Sequence, residues 1–231
     1  MPFERPGNRT RRWLTVAALS ALVFIAGCHR RIPAPSPPST VPAPPVVPGK
    51  WSEEGIASWY GRPFSGRHAA DGEIYNMYKM VAAHRTLPFN SLVRVTDLQN
   101  GRQVVVRIID RGPFVNNRII DLSFGAARAL DMVGPGVAPV RLELVSGENP
   151  TSGDFTVQVG AFAVRQNAER LRVRLGSKWG PVFIQEYDSP SGLLYRVRVG
   201  EVKSEEAARR LATELRQDQG FKTTFVVRLD L

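Results

Sequence analysis

The hydrophobic pattern of residues 51–146 predicts several short β-strands. Apolar and β-branched residues alternate with polar ones, and the dipeptide Asn100-Gly101 is typical of a hairpin turn. One helix is expected to begin at a Ser123 cap and to continue through Asp131. Many short strands with a single helix indicate a small β-barrel. The predicted strands are Gly55–Tyr60, Leu92–Asp97, Gln103–Ile109 and Val140–Val145.

Residues 153–231 contain an internal repeat in which the segment Phe155–Phe162 is matched by Tyr195–Val202. Each copy alternates apolar and polar residues, and it is followed by helical spacing and then by a further strand. The order β-α-β-β-α-β predicts an α+β domain, with a four-stranded antiparallel sheet and two helices on one face. The other face is expected to be open. The residues expected there are Gln158, Phe162, Arg196 and Arg198.

The first fifty residues have the pattern of a secretory signal followed by a tether. Four arginines precede an apolar run of 15 residues that ends at Cys28. This run is too short for a transmembrane helix, which needs about 20 residues, and it is typical of a secretory signal. Residues 31–50 contain eight prolines, which favour an extended polyproline conformation. The predicted organisation is a signal peptide at 1–27, a tether at 28–50, and two domains at 51–147 and 152–231.

The net charge of +10 does not point to nucleic acid. Residues 1–50 hold seven Lys and Arg against one acidic residue, so most of the excess lies outside the predicted domains. The single cysteine excludes an intrachain disulfide and a multi-cysteine metal site. The sequence has no phosphate loop, nucleophilic serine motif or nucleotide fingerprint, and we expect neither a metal nor a cofactor.

The sequence Ile25-Ala26-Gly27-Cys28 resembles the lipobox of bacterial lipoproteins. The resemblance implies cleavage before Cys28 and acylation of that residue. Because His29 stands where inner-membrane lipoproteins often have Asp, it also implies an outer-membrane protein that faces the periplasm. The alternative is a plain signal peptide or a signal anchor, with an unmodified cysteine.

Five sequence segments of the first domain resemble the RlpA family, whose core is a double-psi β-barrel. They stand in family order and are ASWYG at Ala57–Gly61, AADGE at Ala69–Glu73, AAHRTLPF at Ala82–Phe89, DRGPF at Asp110–Phe114, and RIIDLS at Arg118–Ser123. The second domain resembles a SPOR domain, a module that binds peptidoglycan strands without stem peptides.

This resemblance implies an endolytic lytic transglycosylase of the division septum. Such an enzyme cleaves MurNAc–GlcNAc bonds of peptide-free glycan and leaves 1,6-anhydro ends. The expected partners are glycan strands, the outer membrane through the lipid, and divisome proteins. Three residues depart from the family pattern, which usually has Thr in place of Ala69, Asn in place of Asp71 and Asn in place of Ile109. The alternative is therefore a septal lipoprotein that binds glycan without cleaving it.

The resemblance carries three candidate catalytic residues, each of which also has a purely structural interpretation. Asp110 ends an apolar strand, where burial would raise its pKa and keep it protonated as a general acid. Glu73 is the second carboxyl candidate, either as a co-acid or as a stabiliser of positive charge on the sugar. His84 is expected to hydrogen-bond one of these carboxyl groups.

The remaining candidates concern substrate binding. Trp59 and Tyr60 are expected either to stack on sugar rings or to pack in the core. Arg118 is expected to pair with Asp121 or with a substrate carboxylate, and Asp121 to fix a turn or cap the following helix. Arg196 and Arg198, with Gln158 and Phe162 beside them, are expected to meet the lactyl carboxylates of peptide-free glycan.

Overall fold

Six strands close into a barrel in the computed structural model, which describes residues 51–229. They are β1 Ser52–Tyr60, β2 Val81–His84, β3 Leu92–Asp97, β4 Gln103–Asp110, β5 Arg118–Ser123 and β6 Val137–Ser146. Their order around the barrel is β1-β5-β2-β4-β3-β6. The pairs β1/β5 and β2/β4 are parallel, and the other neighbouring pairs are antiparallel. The predicted small double-psi β-barrel is confirmed.

Alternation of side chains fills the barrel. Along β6, every second residue from Ala138 to Leu144 is buried, and Val106 and Ile108 of β4 contribute to the same core. The predicted hairpin joins β3 to β4. Gly101 adopts a φ of +73° there, a conformation that favours glycine, while the carboxylate of Asp97 accepts a hydrogen bond of 2.8 Å from the Gln99 amide.

The barrel carries one short helix, α1, at Phe124–Ala129. The Ser123 hydroxyl accepts a hydrogen bond from the Ala126 amide, as the sequence predicts, but the helix ends two residues before Asp131. Gly125 brings α1 against the loop before β2. A Cβ atom at this position would lie 2.5 Å from the backbone oxygen of Tyr78, so no side chain fits.

The second domain contains β7 Ser152–Phe162, α2 Arg165–Gly176, β8 Val182–Ser189, β9 Gly192–Ser204, α3 Glu205–Gln219 and β10 Phe225–Leu229. The strand order is β10-β7-β9-β8, and all three pairs are antiparallel. Leu171, Leu175 and Leu215 of the helices pack with valines of β7 and β9, so both helices cover one face. The predicted β-α-β-β-α-β fold is confirmed.

The expectation of an open second face is wrong. Gln158, Arg196 and Arg198 are only 4%, 7% and 3% exposed, because this face lies against the barrel. The Arg228 amide donates a hydrogen bond of 3.0 Å to the Arg85 carbonyl. The Arg196 guanidinium lies 4.5 Å from the centre of the Phe114 ring. Polar side chains therefore face the barrel instead of solvent.

The placement of Phe162 on that face is also wrong. The pairing of β7 with β9 shifts register between Gln158 and Gly160, and a one-residue shift moves the following side chains to the other face of a strand. Phe162 consequently packs with the apolar cluster under the helices, close to Leu171 and over Gly160.

Within residues 51–229, no helix is both long and apolar enough to cross a membrane. The predicted signal peptide, the lipobox with Cys28 and the proline tether lie outside the described residues.

We expect Gly125→Ala to lower the free energy of unfolding by about 1–3 kcal/mol, because the new methyl group forces α1 away from the Tyr78 backbone. Gly134→Ala is the matched control, since a Cβ there meets no atom within 4 Å. Urea unfolding of both variants measures the difference. Equal stability of the Gly125 variant and the wild type would show that the helix can shift at no cost.

Candidate active site

The strands β4, β2 and β5 lie side by side and place two carboxyl groups on either side of β2. Ala83 of β2 pairs with Asp110 of β4 on one side and with Asp121 of β5 on the other. Residues paired directly across neighbouring strands point to the same face, and neighbouring strands are about 4.8 Å apart. The two carboxyl groups therefore flank the small Ala83 side chain.

Asp110 is partly buried and is held by two backbone amides. Its Oδ1 atom accepts hydrogen bonds from Arg111 at 2.7 Å and from Ala70 at 3.1 Å. Burial raises the pKa of Asp110, although these two bonds and the charges of Arg196 and Arg111 oppose the rise. No hydrogen bond from the described residues reaches Oδ2. A carboxyl group with a raised pKa and one unbonded oxygen is suited to donate a proton.

Asp121 is the second carboxyl group, and its predicted role as a turn or cap residue is wrong. It lies inside β5, where its side chain accepts hydrogen bonds from the Ser58 hydroxyl at 2.6 Å and from Arg118 at 3.3 Å. Burial raises the pKa of Asp121, although these two contacts act to lower it. The sequence signal was an aspartate between Ile120 and Leu122, in a strand that is otherwise apolar.

Two aromatic residues precede the turn after β1, and the structure favours packing for both. The Tyr60 ring stacks on Tyr75 with centroids 4.3 Å apart, and Trp59 meets Phe124 edge to face at 5.7 Å. Burial raises the pKa of Tyr60 well above its ordinary value, and the negative charge of Asp110 raises it further. The Tyr60 hydroxyl is thus a neutral group close to the acid.

Glu73 lies on an exposed loop and makes no hydrogen bond to Asp110 within the described part of the chain. Its two oxygens each accept a hydrogen bond of 2.7 Å from Arg107, and this pairing lowers the pKa of Glu73. An ionised carboxylate does not fit the co-acid alternative. The same loop supplies the Ala70 amide that bonds Asp110, and the Glu73 carbonyl closes this loop by accepting a hydrogen bond of 2.8 Å from the Ala69 amide.

His84 is 2% exposed and contacts a carboxyl group other than the two expected. Its Nδ1 atom accepts hydrogen bonds from the amides of Thr86 and Leu87, which leaves the ring proton on Nε2. Nε2 then donates to Glu53 at 3.2 Å. Burial lowers the pKa of His84, so the ring is neutral at neutral pH. His84 shapes the end of β2 and does not bond Asp110 or Glu73.

Among the described residues, no group of three or more His, Cys, Asp or Glu side chains is arranged to hold a metal ion.

The fold and two family matches define the class of protein. Residues 52–142 match the family model described as "Lytic transglycolase", and residues 151–228 match the family model described as "SPOR domain". The chain is thus a barrel of the lytic transglycosylase type joined to a SPOR domain.

Curated relatives narrow this class to one family. The chain is 40% identical over 211 residues to the endolytic peptidoglycan transglycosylase RlpA of Campylobacter jejuni. The matched region covers 80% of this chain and 75% of that protein. It is 34% identical over 189 residues to the protein of the same name from Vibrio cholerae, covering 78% and 70%. A probable RlpA of Nostoc is 51% identical over 142 residues, covering 60% and 38%. The chain belongs to the RlpA family.

We expect Ser58→Ala to raise the pKa of Asp121 further, because the hydroxyl bond that stabilises the charged carboxylate is lost. An NMR titration of the side-chain carboxyl carbon measures this change. In the control variant Ser177→Ala, the lost hydroxyl bonds the Arg174 carbonyl at the end of α2, and Asp121 should titrate as in the wild type. An unchanged Asp121 titration in Ser58→Ala would contradict the assigned contact.

Proposed function

We propose that this chain is an endolytic peptidoglycan transglycosylase that cleaves MurNAc–GlcNAc bonds of glycan strands lacking stem peptides. The observation that carries the proposal is the pair of partly buried carboxyl groups, Asp110 and Asp121, on either side of Ala83. Burial raises the pKa of both. The curated relatives are named endolytic peptidoglycan transglycosylases, and these names support the same reaction.

Asp110 is the proposed acid and base. It donates its proton to the bridging oxygen as the glycosidic bond breaks, and the GlcNAc unit leaves as an alcohol. The C6 hydroxyl of the MurNAc unit then attacks the anomeric carbon, and its proton passes to the Asp110 carboxylate. Because the nucleophile belongs to the same sugar, its effective concentration is high and no water is consumed. The product carries a 1,6-anhydro end.

Asp121 supplies the second function. Hydrogen bonds from Ser58 and Arg118 stabilise its charged form, whereas Asp110 keeps one oxygen unbonded. Asp121 is therefore the proposed group that stabilises positive charge on the sugar in the transition state, as the second carboxylate does in many glycosidases.

The departures from the family pattern at residues 69–71 are compatible with this mechanism. The loop reaches Asp110 through the backbone amide of Ala70, and that contact does not depend on the side chain. Ile109, where the family usually has Asn, is buried in an apolar cluster with Tyr75 and Val81, so it supports the strand end that carries Asp110.

We expect Asp110→Asn to lower the rate of 1,6-anhydro fragment release by about 10²–10⁴-fold, since the general acid is lost. Glu73→Gln should lose no more than about fivefold, because an exposed ion pair contributes little. Asp131→Asn is the control for an exposed barrel carboxylate. The assay incubates the purified full chain with peptide-free sacculi and identifies the soluble fragments by mass spectrometry.

Three results decide between the candidate functions. Fragments with anhydro ends that disappear in the Asp110 variant support the enzyme. Wild-type protein that sediments with the sacculi and releases nothing would support the glycan-binding lipoprotein instead. Equal release by the wild type and Asp110→Asn would remove Asp110 from the mechanism.

We also propose that the protein is an outer-membrane lipoprotein, acylated at Cys28 and enriched at the septum through its SPOR domain. The sequence Ile25-Ala26-Gly27-Cys28 supports acylation, and the match of residues 151–228 supports recruitment to glycan. The divisome partners belong to the same proposal.

We expect Cys28→Ala to abolish incorporation of an alkyne-labelled fatty acid and to move the protein out of the membrane fraction. The reason is that Cys28 is the only cysteine of the chain and the only thiol that could be acylated in this way. A labelled, membrane-bound Cys28→Ala protein would overturn the lipoprotein proposal.

A further inference from the structure

A cavity of about 480 Å³ lies where the sheet of the second domain meets the barrel. We call it the junction cavity and define it by Ala70 and Arg111 on the barrel side and by Tyr187, Arg196 and Arg198 on the sheet side. Its volume is in the range of small-molecule sites, so it can hold a sugar unit. Neither domain encloses it alone.

The junction cavity adjoins the proposed acid. The two barrel residues that define it, Ala70 and Arg111, are the residues whose backbone amides bond Oδ1 of Asp110. From the sheet side, the positive charge of Arg196 opposes the rise in the pKa of Asp110, which also places that guanidinium near the carboxyl group. A ligand in the cavity therefore lies between Asp110 and the sheet.

On the sheet side of the cavity, the positive charge of Arg198 has no acidic side chain of residues 51–229 among its charged neighbours. Arg198 is 3% exposed, its Nε atom has no hydrogen-bond partner within residues 51–229, and its charged neighbours are Arg196 and Arg111. The two acidic residues of the cavity wall are already paired, Asp188 with Arg67 and Glu186 with Arg165.

A buried cation without a counter-ion is costly, and an anion placed beside it recovers that cost. Burial, together with the charges of Arg196 and Arg111, lowers the pKa of Arg198 to about 9. Arg196 is held in orientation by the Tyr187 ring, whose centre lies 3.6 Å from the guanidinium. The guanidinium of Arg196, oriented by Tyr187, and the buried guanidinium of Arg198 together form a site for a carboxylate.

We propose that the barrel and the sheet bind one saccharide unit jointly: Arg198 and Arg196 bind the lactyl carboxylate of a MurNAc unit whose glycosidic oxygen faces Asp110. This inference rests on the proposed function and adds that the junction cavity recognises the lactyl carboxylate of the substrate. Attachment of a stem peptide turns the lactyl carboxylate into a neutral, bulky amide. The arginines of the sheet then lose their counter-ion, so the cavity itself selects peptide-free sugars.

The first experiment measures the energetic coupling between Arg198 and the sugar carboxylate. Two substrates are prepared from the same peptide-free strands, one with free lactyl carboxylates and one in which they are converted to methylamides. The full chain should cleave the free-carboxylate strands with a kcat/KM about 10–100-fold higher, the range expected for one charge-assisted hydrogen-bonded contact.

In Arg198→Ala, this preference should fall to nearly one, because the variant has lost the contact that distinguishes carboxylate strands from methylamide strands. Arg198→Lys should restore part of the preference. Arg174→Ala removes the same charge from the exposed side of α2 and should keep the preference of the wild type.

The second experiment tests whether the barrel takes part in binding. In an Asp110→Asn background, which prevents cleavage, Ala70→Trp should fill the junction cavity from the barrel side. We expect it to raise the Kd for fluorescent peptide-free strands about tenfold, and we expect the same of Arg198→Ala. The double variant should show little further loss of affinity, because both changes remove the same site.

The outcomes separate this inference from the proposed function. Cleavage of both strand types at equal rates by the wild type would overturn the inference and leave the transglycosylase intact. An unchanged Kd in Ala70→Trp would assign strand binding to the sheet alone and overturn the joint site. Absence of cleavage on either strand type, with strand binding that depends on Arg198 and Ala70, would reject the enzyme and keep the site.

Discussion

The strand β2, Val81–His84, determines where the chemistry of the barrel lies. It is only four residues long, it is fully buried, and it pairs in parallel with β4 and antiparallel with β5. Because Ala83 has the smallest side chain that keeps a Cβ, it leaves room on either side for Asp110 and Asp121. A larger residue at this position would separate or displace the two carboxyl groups.

Placing two carboxyl groups in a partly buried site costs desolvation energy, which the surrounding backbone and hydroxyl groups offset in part. Asp110 receives two amide hydrogen bonds, and Asp121 receives one from Ser58 and one from Arg118. Because burial is the dominant influence on both residues, each pKa stays above its ordinary value. The fold thus supplies a proton donor at Asp110 and a second carboxyl group at Asp121.

Much of the fold could be predicted because the signals are local in the sequence. The repeat of Phe155–Phe162 at Tyr195–Val202 fixed the β-α-β-β-α-β order, and Asn100-Gly101 fixed the β3–β4 hairpin. The burial of Asp110 at the end of an apolar strand was also predictable from the residues before it.

The missed features depend on contacts that no local pattern contains. Asp121 lies across β2 from Asp110 only because β2 inserts between β4 and β5, and the spacing of residues along the sequence does not predict this strand order. Phe162 changes face because of a register shift in one strand pair. Gln158, Arg196 and Arg198 are buried because a second domain covers them, which alternation within a strand cannot reveal.

The covered sheet face changes how the positive charge of the second domain is understood. On an open face, Arg196 and Arg198 would be solvated and their attraction for an anion would be screened by salt. Against the barrel they are buried, and the Arg196 charge acts directly on Asp110 by favouring its ionised form. A carboxylate bound to these arginines in the junction cavity would neutralise that influence. The pKa of Asp110 would then rise, so binding of an anionic sugar would itself favour the protonated acid that breaks the bond.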